Sequence, residues 1–140
     1  MYRAQLIRSY VFRATHYYGR LDWDDARNRE VFGAQVEPHE HEWRVEIRLV
    51  GPIDPTTGWI VDLGAVDRAV EELLGPWDGG DLNASIPAVS SGELQPSTEN
   101  LARLIFTHLS PLLGAGVSLR DVRVFESPDL GASYPGAADA

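Results

Sequence analysis

Cysteine is absent from the 140 residues, which excludes disulfides, thiolate metal sites and thiol nucleophiles together and leaves no redox clue to compartment. Basic residues are few. Twelve against 21 acidic ones give a net charge of -9, which argues against a nucleic-acid surface or an anionic membrane as the main partner. A local cluster of arginines could still bind an anionic small molecule. No apolar run is long enough to span a bilayer, and Met1 to Arg8 lacks the continuous apolar segment of a secretory signal; a cytoplasmic protein is expected. No internal repeat competes with a globular reading. What is present is an ordinary apolar share, 44%, over a length that suits one domain with a real core. Residues 1–140 are therefore read as a single domain, with the Gly/Ala-rich segment at about 135–140 as a frayed tail.

The most informative stretch is Pro38-His39-Glu40-His41-Glu42-Trp43-Arg44-Val45-Glu46-Ile47-Arg48-Leu49. Its strict alternation places His39, His41, Trp43, Val45, Ile47 and Leu49 on one face of a strand, the face that becomes core. Upstream, Ala4 to Tyr18 is rich in β-branched and aromatic residues, with Phe12, Ala14 and His16 on one parity, and reads as a first strand. Gly19 to Pro38 has no sustained period and reads as a long loop between two strands, with room for a helical turn. Asp62 is an expected N-cap for a helix carrying Val66, Val70, Leu73 and Leu74, stopped by Gly75-Pro76. After a Ser/Pro/Gly-rich loop a second helix opens at Ser97. Its stripe is Leu101, Leu104, Ile105, His108, Leu109 and Leu112. Val117 to Phe125 alternates again, and Ala132-Ser133-Tyr134 can pair as a short last strand. The expected layout is α+β: a four-stranded antiparallel sheet with two helices on one face, whose open edges invite closure through oligomers.

Two histidines on one strand face and a third from a neighbouring strand would offer three nitrogens with an open fourth position, the pattern of catalytic zinc. Spacing alone leaves a second reading open, that these are polar residues at strand ends. His108, within the stripe of its helix, reads as a packed core histidine before a catalytic one. Glu126, taken by itself, is an exposed strand-end carboxylate.

Seven segments in order carry a resemblance: Phe12-Arg13-Ala14-Thr15-His16; Phe32-Gly33; His39-Glu40-His41-Glu42-Trp43; Thr57-Gly58-Trp59-Ile60-Val61-Asp62-Leu63; Asp78-Gly79-Gly80-Asp81-Leu82-Asn83; Pro96-Ser97-Thr98-Glu99-Asn100; and Val122-Arg123-Val124-Phe125-Glu126. In this order the chain resembles the 6-pyruvoyltetrahydropterin synthase and 6-carboxytetrahydropterin synthase family over nearly its whole length. The resemblance implies a tunnelling fold (T-fold), with trimers closing a barrel and two trimers stacking into a hexamer. It implies Zn2+ held by His16, His39 and His41, and Glu126 anchoring the amino-pyrimidinone end of a pterin, where a carboxylate can accept two parallel N–H bonds. It further implies a carbon-oxygen lyase acting on 7,8-dihydroneopterin triphosphate or a related pterin.

The chain departs from the family pattern in its proton-transfer residues. The family's base is a cysteine before the metal-binding pair, and its position here is Gln35. Of the family's Asp-His pair, Asp78 is kept while Gly79 stands in place of the histidine. The metal strand also differs, with Glu40 and Glu42-Trp43 in place of the usual Gly and Asn-Tyr. The residues left to act as acid or base are Glu37, Asp78, Asp81 and, behind them, His108. Glu37 is favoured by relatives that place a glutamate just before the metal histidines, since a carboxyl buried beside substrate can be raised toward neutrality; as a solvated loop residue it would do nothing of the kind. Two alternatives to the lyase remain: a member that binds a pterin-like ligand without catalysis, and one recruited to a different substrate.

Overall fold

Two 14-residue strands, β1 (Arg3–His16) and β2 (His39–Pro52), form the spine of the computed structural model, which describes residues 2–137. They pair antiparallel without interruption from Arg3 opposite Pro52 to His16 opposite His39. The alternation works as anticipated. Trp43, Val45, Ile47 and Leu49 are fully buried, while Glu40, Glu42 and Arg44 on the other parity face out.

The remaining elements are α1 (Asp25–Phe32), α2 (Leu63–Leu74), β3 (Gly80–Asp81), α3 (Leu82–Ser85), α4 (Pro87–Ser90), α5 (Thr98–Leu109), β4 (Ser118–Ser127) and β5 (Leu130–Tyr134). The sheet order is β3-β1-β2-β4-β5. This corrects the expected four-stranded antiparallel sheet: there are five strands, and β3 runs parallel to β1, pairing Ala14 with Gly80 and Thr15 with Asp81. Two residues are too short a run for any periodic signal, so β3 could not be read as a strand.

Helices α2 and α5 supply the other half of the core. Asp62 caps α2 by accepting from the Gly64 and Ala65 N–H groups at 3.0 and 3.4 Å. Ser97 caps α5 by accepting from the Asn100 N–H at 3.1 Å. Each satisfies donors that the first turn leaves without partners. Val66, Val70 and Leu74 of α2 and Leu101, Ala102, Ile105 and Leu109 of α5 close over the sheet.

Two local expectations are corrected. Residues 19–38 contain a real helix, α1, capped by Asp24, followed by a 3-10 turn at Gly33–Val36. α1 buries no residue, so it has no apolar period to read. His108 is exposed instead of lying in the core. Thr98 and Ala102 are buried, so the inward face of α5 is rotated toward them and away from His108. In β4 the pairing shifts between Arg48 and Leu49, a bulge that leaves Arg120 extra and sets Asp121 opposite Arg48. The part of the expected tail beyond residue 137 lies outside the described residues. Among the described residues no helix is long and apolar enough to cross a membrane.

Candidate metal centre

The hairpin ends in imidazoles. His16 closes β1 directly across from His39, which opens β2, and His41 pairs with Ala14 two positions along. Ring centroids lie 4.5 to 5.1 Å apart with interplanar angles of 68 to 88°, so the rings meet edge to face and their nitrogens converge. One ligating atom from each falls within 4.8 Å of the others, a group able to hold a metal ion. Trp43 forms the floor, 4.8 Å from the His16 ring and 5.4 Å from that of His41, and its indole N–H donates to the Ala14 carbonyl at 3.1 Å. Tyr18, stacked on Phe32, stands 5.4 Å from His16. His16 is 0% exposed within this enclosure.

Backbone carbonyls fix the tautomers. The Nδ1–H of His16 donates to the Pro96 carbonyl and that of His39 to the Glu37 carbonyl, each at 2.8 Å. A carbonyl only accepts, so in the neutral rings the proton is on Nδ1 and the Nε2 lone pair is bare. Metal-ligating imidazoles are oriented in this way from their far nitrogen. The Nε2 atoms of His16 and His41 are buried without a hydrogen-bond partner, a costly state for polar atoms. Protonation does not relieve it at neutral pH. Burial above all, and also the neighbouring His39 and His41, pushes His16 down to about 4, and burial is likewise the largest cause lowering His41, although the charge of Glu126 opposes it. Buried, bare, converging nitrogens fit a divalent cation.

The carboxylates are placed very differently from one another. Glu126, on β4, reaches the cluster: its Oε2 lies 3.5 Å from His16 Nε2 and 3.4 Å from His41 Nε2. The Glu37 side chain instead pairs with Arg29 at 2.6 Å and is 61% exposed; only its backbone carbonyl serves the site. Asp78 accepts from the Arg13 N–H at 3.0 Å while the Gly79 N–H donates to the Arg13 carbonyl at 2.6 Å, so the pair holds the edge of β1. Asp81 caps α3 by accepting from the Asn83 N–H at 2.9 Å. On the outer face of the same strands Arg13 bridges Glu40 and Glu42 at 3.2 and 3.4 Å.

Three contributors carry little or no signal in the sequence. The Pro96 carbonyl is a backbone group with no signal of its own. Tyr18 continues the parity of Phe12, Ala14 and His16, which could have flagged it; burial first, then the charges of Glu126 and Glu99, pushes its phenol up to about 12, so it stays a hydrogen-bond donor. The third is a pair of amide clamps beyond the end of β1. The Asn83 side chain accepts from the Tyr17 N–H and donates to the Tyr17 carbonyl, both at 3.0 Å. Gln95 does the same for Gly19, at 3.1 and 2.9 Å.

Comparison with known proteins decides the lineage. Residues 5–137 match the family model of 6-pyruvoyl tetrahydropterin synthase. The chain belongs to the 6-pyruvoyl tetrahydropterin synthase family. It is 31% identical to the human 6-pyruvoyl tetrahydrobiopterin synthase over 137 residues, covering 96% of this chain and 92% of that protein, and 30% identical to the one from Poecilia reticulata over 125 residues, 87% and 83% of the two chains. The solved 6-pyruvoyl tetrahydropterin synthase of Caenorhabditis elegans superposes with a TM-score of 0.88 at 25% identity, covering 98% of each chain. These findings bear out the resemblance read from the motif order. Within this family fold Gln35 is exposed in the 3-10 turn, and Gly79 sits at φ 77° with open space around a would-be Cβ.

Proposed function

We propose that the protein is a zinc-dependent carbon-oxygen lyase acting on 7,8-dihydroneopterin triphosphate or a related pterin-like substrate. The observation that carries this reading is the histidine cluster: His16, His39 and His41 converge at one end of a family hairpin, with Nε2 of His16 and of His39 freed for a metal by backbone carbonyls that hold Nδ1. A Zn2+ ion bound there would supply Lewis acidity, polarising side-chain hydroxyl and carbonyl oxygens so that the adjacent carbon loses a proton more easily. Trp43 and Tyr18 keep water from the His16 side of the cluster, and the Tyr18 phenol donates a hydrogen bond toward bound substrate. Glu126 anchors the amino-pyrimidinone edge.

The base is the residue this chain had to replace. Of Glu37, Asp78 and Asp81, only Glu37 is free to turn inward at little cost. Its pair with Arg29 is exposed, and such a pair is worth about 0.2–1 kcal/mol, whereas Asp78 and Asp81 satisfy backbone N–H groups. A Plasmodium vivax 6-pyruvoyltetrahydropterin synthase has a glutamate as a catalytic residue, which supports a carboxylate in this role. Assembly as a trimer or hexamer follows the family. It is supported by the edge of β1, which β3 covers only at Ala14 and Thr15, leaving unpaired backbone groups to be closed by another copy.

A second reading, ligand binding without turnover or action on a different substrate, is favoured by Gln35 and Gly79, neither of which carries a group that can transfer a proton. The test is to mix zinc-loaded protein with dihydroneopterin triphosphate and follow products by mass spectrometry, beside Glu37→Gln and Asp81→Asn variants. Conversion lost in Glu37→Gln supports the lyase with Glu37 as base. Tight binding without conversion supports the binder, and neither binding nor conversion supports another substrate.

A further inference from the structure

Lysine is absent, so every one of the 12 basic residues is an arginine. Arg20, Arg27 and Arg29 all fall in the stretch that leads from the end of β1 through α1. Arg20 and Arg29 line a cleft of about 410 Å3 whose walls also include Tyr18, Trp23, Asp25 and Glu37, and Arg27 lies over the Trp23 ring at 4.4 Å. Two of these walls are shared with the metal corner. Tyr18 stands 5.4 Å from the His16 ring, and the Glu37 carbonyl holds His39 Nδ1 at 2.8 Å. The cleft therefore opens beside the histidines, outside the cluster itself.

The two lining arginines differ in how many donors are committed. Arg20 forks onto Asp22 through Nε and Nη2 at 2.9 and 2.8 Å. Among the described residues the Arg29 guanidinium makes one hydrogen bond, from Nη2 to Glu37 Oε1 at 2.6 Å, in a pair that is 60 and 61% exposed. A guanidinium carries five N–H donors in a planar fork, so most of those of Arg29 remain open. A phosphate group takes two of them in parallel, whereas an exposed pair with a carboxylate is weak. Asp22, Asp24, Asp25, Glu30 and Glu37 outnumber the three arginines of this stretch. An anion therefore binds here through direct guanidinium contact, by displacing a carboxylate, and Glu37 is the one held least.

The substrate named above supplies such an anion. The side chain of dihydroneopterin triphosphate carries its phosphates on the carbon next to the hydroxyl-bearing pair that would face the metal, so hydroxyls at the histidines bring phosphates to the neighbouring cleft. We propose that this cleft takes the phosphate chain of the substrate and that Arg29 exchanges the Glu37 carboxylate for phosphate oxygens. The proposal rests on the pterin-lyase reading and adds to it the place of the anion. It also has a consequence for the base. Arrival of the phosphates releases Glu37 from its partner, while a pterin without phosphates leaves it paired.

The test titrates the full chain, kept metal-free so that no ion draws the probe, with inorganic tripolyphosphate at low salt, followed by calorimetry. Arg29→Gln should weaken binding at least about tenfold through the loss of charge-assisted hydrogen bonds, and Glu37→Gln, which removes the competing carboxylate, should tighten it about threefold. Arg120→Gln makes the same charge change at an exposed position of β4 and should leave binding unaltered. Absence of binding by wild type, wild-type affinity in Arg29→Gln, or equal losses in Arg29→Gln and Arg120→Gln would overturn the site; no tightening in Glu37→Gln overturns the exchange. Zinc-loaded protein then separates the phosphates of the substrate from free polyphosphate as the ligand. There Arg29→Gln should weaken dihydroneopterin triphosphate at least about tenfold and leave dihydroneopterin unchanged, and an equal effect on both, or on neither, overturns the assignment to substrate. Tripolyphosphate binding by a wild type that takes up neither pterin keeps the anion cleft and sinks the lyase reading.

Discussion

The histidine cluster and the carboxylates Glu37, Asp78 and Asp81 are built in opposite ways. His16 and His39 are fixed from behind, through Nδ1, and their reactive nitrogens are left uncommitted. Asp78 and Asp81 have committed their reactive oxygens to backbone N–H groups, and Glu37 has committed its own to Arg29. The first kind of residue is organised for binding something absent from the chain, and the second for holding the chain together. The difference separates two kinds of side chain: the histidines leave nitrogens free for a ligand such as a metal ion, whereas Glu37, Asp78 or Asp81 could take up a proton only by leaving a partner it already has.

The largest expected effect comes from removing a member of the first group. His39→Ala should lower zinc affinity by more than the roughly 10–100-fold typical of losing an outer-shell partner, read by chelator competition; undiminished zinc in that variant would abolish the contrast. The opposite limit is a carboxylate wholly committed to structure. Asp121 is buried and accepts from the Arg48 guanidinium through both oxygens at 2.6 Å and from the Ser133 hydroxyl at 3.0 Å. Asp121→Asn should leave zinc affinity unchanged yet cost about 2–3 kcal/mol in urea unfolding, less than a fully buried pair because Arg48 keeps partial contact with water. Those hydrogen bonds from Arg48 are the largest cause holding the Asp121 carboxyl below the ordinary carboxylate range. Its stabilisation is therefore complete above the unfolded-state value of about 3.9 and is lost as pH falls below that toward the folded value. The stability gap between wild type and Asp121→Asn should narrow on going from pH 5 to pH 3.

A histidine placed at position 79, where the family resemblance implies one, sharpens the comparison at a smaller scale. Gly79→His places a side chain at φ 77°, which disfavours a residue with a Cβ by about 1–2 kcal/mol, while nothing within 4 Å blocks the new atom. A melting shift of that size is expected with metal uptake intact; no loss of stability would show that the backbone here relaxes freely. The smallest effect is expected of Glu37→Gln, which should cost no more than about 0.2–1 kcal/mol of stability and leave zinc affinity unaltered, since His39 uses only the Glu37 backbone carbonyl.

Legibility in the sequence follows burial. The hairpin and the two long helices bury one face each, so their periods and their caps at Asp62 and Ser97 can be read directly. Helix α1 buries nothing and β3 is two residues long, so neither leaves a periodic trace. His108 misleads because helical spacing fixes only relative angles, and the burial of Thr98 and Ala102 turns the inward face away from it. The histidines share strand parity, which raises a three-nitrogen site as one of two readings, and the order of the family motifs is what favours it over polar strand ends. What orients them leaves no such mark, because carbonyls like those of Pro96 and Glu37 are present at every residue of every sequence. Nor does spacing show that Glu37 faces Arg29 while Glu126, far along the chain, turns toward His16 and His41; that distinction exists only once β4 lies beside β2.

The amide clamps beyond β1 carry a consequence for motion at the metal corner. Past His16 the ladder hydrogen bonds give way to the side chains of Asn83 and Gln95, which satisfy Tyr17 and Gly19 as a neighbouring strand would. A ladder opens by peeling from its end, but a side-chain clamp opens by a single rotamer change. Hydrogen exchange at the Tyr17 and Gly19 amides therefore reports two local latches separately from the unfolding of the sheet, and Asn83→Ala should speed exchange at Tyr17 while the amides of Phe12 and Ala14 keep their protection.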